Sequence, residues 1–272
     1  DLDSHIFNYE VAGSAVVGNV QMRPVKTSRG FLSPAEVREA MRPSNIHIPR
    51  TGLVCVENTH NRHGGTCCAP EDIAAVAAVA HGAGVAVHLD GARIFNAAVA
   101  LGRDVRDFTR DVDSVTFCLS KGLGAPVGSV VCGPAAFVLK ARRIRKMLGG
   151  GMRQAGVLAA AGIVALERMV DRLSLDHANA RALAEGVARL PGLRVELDRV
   201  QTNIVIFRVE RPGGLPPEAA TDELVSGCAA RKVKIHAIGP AAIRCVTHKD
   251  VDAEDIARAL EALREVTAGW RG

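Results

Sequence analysis

Two ionisable residues of this chain stand where an open parallel sheet commonly does its chemistry, just past the carboxyl ends of strands. Asp90 follows the apolar run at 85–89, and Lys121 follows Ser114-Val-Thr-Phe-Cys118 within Ser120-Lys121-Gly122. They are 31 positions apart, about one strand–helix–strand step, so both should face one crevice. Taken alone, Asp90 reads as a helix cap and Lys121 as an exposed loop lysine. Taken together they are an amine able to form a Schiff base and a carboxylate able to hold a pyridinium proton.

The elements that must position this pair follow from hydrophobic patterning and punctuation. Leu53-Val-Cys-Val-Glu57 reads as a strand. Pro70-Glu71-Asp72 opens a helix, with proline at its first position and acids in its first turn, and Gly82-Ala-Gly84 closes it. Strands are expected at 85–89, 114–118 and 128–132, and strands separated by helices of this length predict βαβ units. Beyond Pro134 the pattern is helical, interrupted by Gly149-Gly-Gly151, with a helix, straight or bent, expected over 155–190. Further strands are expected at 194–197, 203–208 and 243–246, helices at 218–231 and 252–267, and a loop at 211–217. The fold class is therefore α/β: a mainly parallel sheet flanked by helices over 1–170, with a smaller C-terminal α+β domain over 171–272.

Composition removes several alternatives. Of 272 residues 48% are hydrophobic, too many for a disordered chain, and 3% are aromatic, too few for a surface that stacks nucleobases. The net charge of +5 is mild at this length. The dense basic run Lys140-Ala-Arg-Arg-Ile-Arg-Lys146 reads as a solvated helix face or a contact between copies. Seven cysteines without a C-x-x-C pair suit a reducing cytoplasm, and Cys55, Cys118, Cys132 and Cys245 read as small buried hydrophobes. No apolar run is long enough to span a membrane. His60 and His63 have no third ligand nearby in sequence, so no metal is assigned to them. His88 shares the strand face of Asp90; His81, His177 and His236 read as structural or exposed.

Six segments, in order along nearly the whole chain, are similar to those of the low-specificity L-threonine aldolases. They are Asp3-Ser-His-Ile-Phe-Asn-Tyr-Glu10, Glu57-Asn-Thr-His-Asn61, His88-Leu-Asp-Gly-Ala-Arg-Ile-Phe-Asn96, Ser120-Lys-Gly-Leu-Gly-Ala-Pro-Val-Gly128, Gly149-Gly-Gly-Met-Arg-Gln154 and Arg244-Cys-Val-Thr-His248. The resemblance implies a pyridoxal 5'-phosphate lyase of the aspartate-aminotransferase type. It assigns Lys121 to carry the cofactor, Asp90 to pair with the ring nitrogen, and His5 to lie flat on the ring. Arg93 and Arg244 would grip the substrate carboxylate, for which a guanidinium fork is suited. Arg153 would contact the phosphate with Lys146 close by, and His47 would stand near the substrate β-hydroxyl.

The implied reaction is retro-aldol cleavage of L-threonine or L-allo-threonine to glycine and acetaldehyde, by a cytoplasmic homodimer or homotetramer with no nucleic-acid or membrane partner. Another lyase of this fold acting by β-elimination, or a non-catalytic fragment of such an enzyme, are the alternatives. Family members also begin well before this sequence does, with an Arg-Ser-Asp-Thr-like segment and a Ser-Gly-Thr-like phosphate turn. The expectation is of a chain lacking that N-terminal segment.

Overall fold

The computed structural model describes residues 1–213 and 216–270. The chain divides into two compact units: Asp1–Arg62 with Cys67–Asp171, and His63–Thr66 with the residues from Arg172 onward. In the expected loop at 211–217, Gly214 and Leu215 lie outside the described residues.

In the first unit the short helices α1 (His5–Asn8), α2 (Gly13–Val16) and α3 (Pro34–Ala40) precede the sheet. Helix α3 starts where the sequence supplies a reciprocal cap, Ser33 and Glu36 each bonding the other's backbone N–H, with Pro34 in the first turn. Then come β1 (Leu53–Glu57), α4 (Pro70–Gly82), β2 (Ala86–Asp90), α5 (Ile94–Leu101), β3 (Ser114–Cys118), β4 (Ser129–Cys132), α6 (Ala135–Met147) and α7 (Gly156–Arg168). The sheet order is β1-β2-β3-β4. Strands β1, β2 and β3 are parallel, and β4 is antiparallel to β3. The ten residues between β3 and β4 are too few for a crossover helix, which needs about a dozen or more, so the chain returns antiparallel. The strand expected at 85–89 is shifted by one residue and includes Asp90 as its last member.

Burial alternates along β2. Val87 and Leu89 are fully buried, while His88 and Asp90 on the opposite face are only half-buried. Val87 and Leu89 join Val54 and Val56 of β1, Ile73, Val76 and Ala80 of α4, Ile94 and Ala97 of α5, and Phe108 in one core. Cys132 is exposed and Cys55, Cys118 and Cys245 are half-buried, which corrects the expectation that all four are buried. Strand β4 explains Cys132: it stands at the end of the sheet order and contributes no buried residue.

The helix expected over 155–190 is two helices, α7 and α8 (Leu173–Val187). Without glycine or proline at 169–172, hydrophobic periodicity runs across the break unseen. At the start of α8 Arg172 grips the fully buried carboxylate of Asp176 with both terminal nitrogens, at 2.8 and 3.1 Å. The second unit continues with β5 (Leu193–Val195), β6 (Ile204–Val209), α9 (Pro217–Ala230), β7 (His236–Gly239), β8 (Ala242–Val246) and α10 (Ala253–Thr267). Its sheet is antiparallel in the order β5-β6-β8-β7. Val205, Phe207, Leu183, Leu224, Ile243 and Leu263 form its core. Strand β7 escapes a reading of the sequence because it is short, contains Gly239 and pairs with an irregular register. Among the described residues no helix is long and apolar enough to cross a membrane.

Candidate active site

Pairing in register brings the ends of three strands together. Glu57 of β1 is opposite Asp90 of β2, which is opposite Thr116 of β3. After Asp90 the chain turns sharply, and the Gly91 N–H donates to the Thr116 carbonyl at 2.8 Å. A Cβ on Gly91 would come within 3.0 Å of both that carbonyl oxygen and the Cβ of Ile94, so glycine permits the close approach. One carboxylate oxygen of Asp90, Oδ1, accepts the N–H of Ala92 at 3.2 Å. The other, Oδ2, accepts no hydrogen bond among the described residues.

Lys121 lies three residues past β3, in a turn closed by the Gly124 N–H donating to the Lys121 carbonyl at 2.9 Å. Gly124 has φ +74°, a left-handed conformation that glycine adopts without strain. The lysine is half-buried. Its ammonium makes no hydrogen bond or ion pair among the described residues, which leaves the amine available for covalent chemistry at the strand ends.

His88 reaches toward β3. Its Nδ1 is 2.8 Å from Ser114 Oγ, and its Nε2 is 3.5 Å from Thr116 Oγ1. Burial lowers its pKa below the ordinary value, against the opposing pull of Asp90, which favours the neutral imidazole beside these two hydroxyls. The sequence places His88 on the face of Asp90; its two hydroxyl neighbours follow from strand pairing alone.

Glu57 escapes a residue-by-residue reading, although it opens one of the recognisable segments. It is 6% exposed. Its Oε2 accepts the backbone N–H of His5 at 2.6 Å, and its Oε1 accepts the backbone N–H of Asn61 at 2.9 Å. Burial raises its pKa, the two N–H groups oppose that, and Asp90 adds to it. The available signal was a carboxylate ending an apolar strand, which a core strand carries only for a reason.

His5, at the start of α1, has its ring 4.7 Å from that of Tyr9 at 31°, and its Nδ1 is 2.8 Å from Glu10 Oε1. Arg93 is half-buried and stands at the N-cap position of α5, two residues past the turn at Gly91. His47 is exposed in the loop before β1, where its backbone N–H donates to Asn45 Oδ1 at 2.8 Å. Lys146 in the last turn of α6 and Arg153 beyond Gly149-Gly-Gly151 are also exposed. None of the side chains of His47, Lys146 and Arg153 makes a hydrogen bond or ion pair among the described residues, so they are not brought into bonding contact with Asp90 or Lys121. Arg244 belongs to the second unit, half-buried on β8 opposite Ile206 and His236. His60 is fully buried, with its Nε2 3.1 Å from Asp1 Oδ2, and His63 has its Nδ1 3.4 Å from Arg199.

The arrangement offers an unpartnered amine and a half-satisfied carboxylate at the ends of neighbouring parallel strands. A model of the Beta-eliminating lyase family matches residues 1–210. The chain is 41% identical over 269 residues to the low specificity L-threonine aldolase of Escherichia coli K12, covering 98% of this chain and 74% of that one. Among solved structures, the Leishmania major threonine aldolase superposes with a TM-score of 0.80 at 18% identity, over 98% of this chain and 76% of that chain. A PLP-dependent aminotransferase from Streptococcus suis does so with a TM-score of 0.67 at 15% identity, over 88% and 61% of the two chains.

Proposed function

The chain belongs to the Beta-eliminating lyase family, and from that premise we propose that it is a pyridoxal-phosphate-dependent aldehyde lyase cleaving L-threonine and L-allo-threonine to glycine and acetaldehyde. The name of its Escherichia coli relative supports the substrate. The donor set at the strand ends supports the cofactor. A lysine without a partner suits a group held through its aldehyde, and the Asp90 oxygen without a bond suits a pyridine N–H. That pairing is the observation that carries the reading. The first unit, which carries Asp90 and Lys121, is the cofactor-binding part.

When bound, the cofactor is an electron sink for the pair left on the substrate Cα when the Cα–Cβ bond breaks. The residues of this chain do the rest. Lys121 would hold the group covalently through Nζ. Asp90 would keep a proton on its ring nitrogen through the attraction of opposite charges. His5 would stand beside the group, Arg153 and Lys146 would neutralise its phosphate, and Arg93 and Arg244 would orient the substrate carboxylate. His47 accepts the β-hydroxyl proton, directly or through a water. Its exposure in a loop leaves it free to meet a substrate.

Two further parts of the reading rest on features outside the strand ends. Seven cysteines without a disulfide among the described residues suit a reducing cytoplasm. Helix α6 buries none of its residues and exposes Leu139, Ile144 and Met147, which supports a homodimer or homotetramer.

Borohydride reduction in the presence of pyridoxal phosphate, followed by peptide mapping, tests the site. Lys121 is expected to carry the modification, and Lys121→Ala is expected to lose both it and threonine cleavage while keeping its circular dichroism. A modification at another lysine overturns the assignment. Formation of a keto acid without glycine would instead assign β-elimination.

A further inference from the structure

The mechanism above leaves one buried titratable group at the strand ends unused. We propose that Glu57 is a positioning residue, whose carboxylate ties the segment carrying His5 to the end of the parallel sheet. The inference rests on the role of His5 given above and extends it to a residue that touches neither cofactor nor substrate.

Three observations carry it. First, Glu57 is the last residue of β1 and directly opposite Asp90, so whatever it holds is held beside the reacting end of the sheet. Second, each of its oxygens accepts one backbone N–H from a different segment: His5 at the start of α1, 52 residues away in sequence, at 2.6 Å, and Asn61 in the turn after β1 at 2.9 Å. Such a fork fixes two segments relative to one strand, and charge-assisted bonds of this kind are about twice as strong as neutral ones. Third, burying a carboxylate next to another carboxylate is costly, and an apolar residue in the same place would avoid that cost. The position therefore makes sense through what the carboxylate holds. His5 depends on that hold. Its segment is short, α1 having four residues, and no residue of α1 is buried, so packing alone does not fix its backbone.

Glutamine is the informative replacement. Glu57→Gln keeps the shape but turns one acceptor into an NH₂ group, which cannot accept a backbone N–H. The test combines hydrogen–deuterium exchange of the cofactor-free protein with pyridoxal phosphate titration of four proteins: the parent, Glu57→Gln, His5→Ala and the double variant. Exchange at the His5 or Asn61 amide is expected to accelerate at least about tenfold in Glu57→Gln, with β2 and β3 unchanged. Cofactor affinity is expected to fall about tenfold in that variant, and Glu57→Gln is expected to cost nothing further once the His5 ring is absent. Unchanged exchange at both amides overturns the proposal, as does an equal loss of affinity with and without the ring. A parent protein that binds no cofactor would sink the functional reading instead, and the exchange measurement would still decide whether Glu57 is the tie.

Discussion

At the scale of single residues, Asp90 is placed so that one side chain can serve both the fold and the proposed reaction. Its Oδ1 caps the turn after β2 through the N–H of Ala92, and its Oδ2 stays available for a ligand proton. Asp90→Asn keeps an oxygen for the turn and removes the charge. An adjacent carboxylate raises the pKa of a cationic group by about 1–3 units, so the variant should hold the pyridinium proton about 10- to 1,000-fold less well. Turnover of threonine should fall by a comparable factor, while KM changes little, because the substrate carboxylate is gripped elsewhere. Steady-state kinetics on both proteins check this, and a near-normal kcat would remove Asp90 from the electron-sink role. Asp90 and Lys121 are legible in the sequence because each follows an apolar strand at a fixed step. Glu57 is not, because its role depends on where the backbone of His5 arrives, and contacts across 52 residues leave no local pattern. The exposed positions of His47, Lys146 and Arg153 are hidden for the same reason: a motif states a residue's type and order, and not its surroundings.

At the scale of elements, the parallel core β1-β2-β3 reads directly from the sequence because its strands are short apolar runs bounded by turn residues. The direction of β4 follows only when the length of its ten-residue connection is weighed as well as the apolar run, and the break between α7 and α8 has no glycine or proline to mark it. One polar tie matters for the edge where β2 and β3 begin. The Asp113 carboxylate accepts the backbone N–H of Val87 at 2.7 Å and meets His81, in the last turn of α4, at 2.9 Å. Those bonds, the Val87 N–H first, hold its pKa below the ordinary 3.8. A depressed carboxylate pKa means that the folded state binds this proton less readily than the unfolded chain. The stabilisation is therefore fully present above about pH 4 and disappears as the pH falls through 3.8 towards the depressed value. Asp113→Asn should melt about 2–4 °C below the parent near neutral pH, as expected for one hydrogen bond in a protein of this size. The difference between the two melting temperatures should close on acidification, and a difference that persists to pH 2.5 would show that Asp113 acts through its shape rather than its charge.

For the molecule as a whole, the informative surface is the one that the first unit leaves uncovered. Helix α6 has no buried residue, yet it carries Leu139, Ile144 and Met147 at 62%, 47% and 76% exposure. On α7, Val157 is 71% exposed, and Ile163 and Val164, about two turns further on, are exposed as well. A helix of thirteen residues gains little stability from propensity alone, and apolar side chains at this density on two successive helices mark a surface that is buried against something. A second copy of the same chain fits the proposed homo-oligomer, because in a two-fold contact each apolar residue is used twice. Covering one large aliphatic side chain contributes about 1.5–3 kcal/mol. Leu139→Asp should therefore weaken a two-fold contact by about 3 kcal/mol or more, which is at least about a hundredfold in the dissociation constant. Light scattering at micromolar concentration should report a dimer or tetramer for the parent and a shift towards monomer for Leu139→Asp, with unchanged circular dichroism because the residue is mostly exposed. Glu254→Gln on α10, an exposed position in the second unit, should leave the assembly as it was. A parent that remains monomeric would remove the homo-oligomer from the proposal, and an oligomer indifferent to Leu139→Asp would move the contact away from this face of α6.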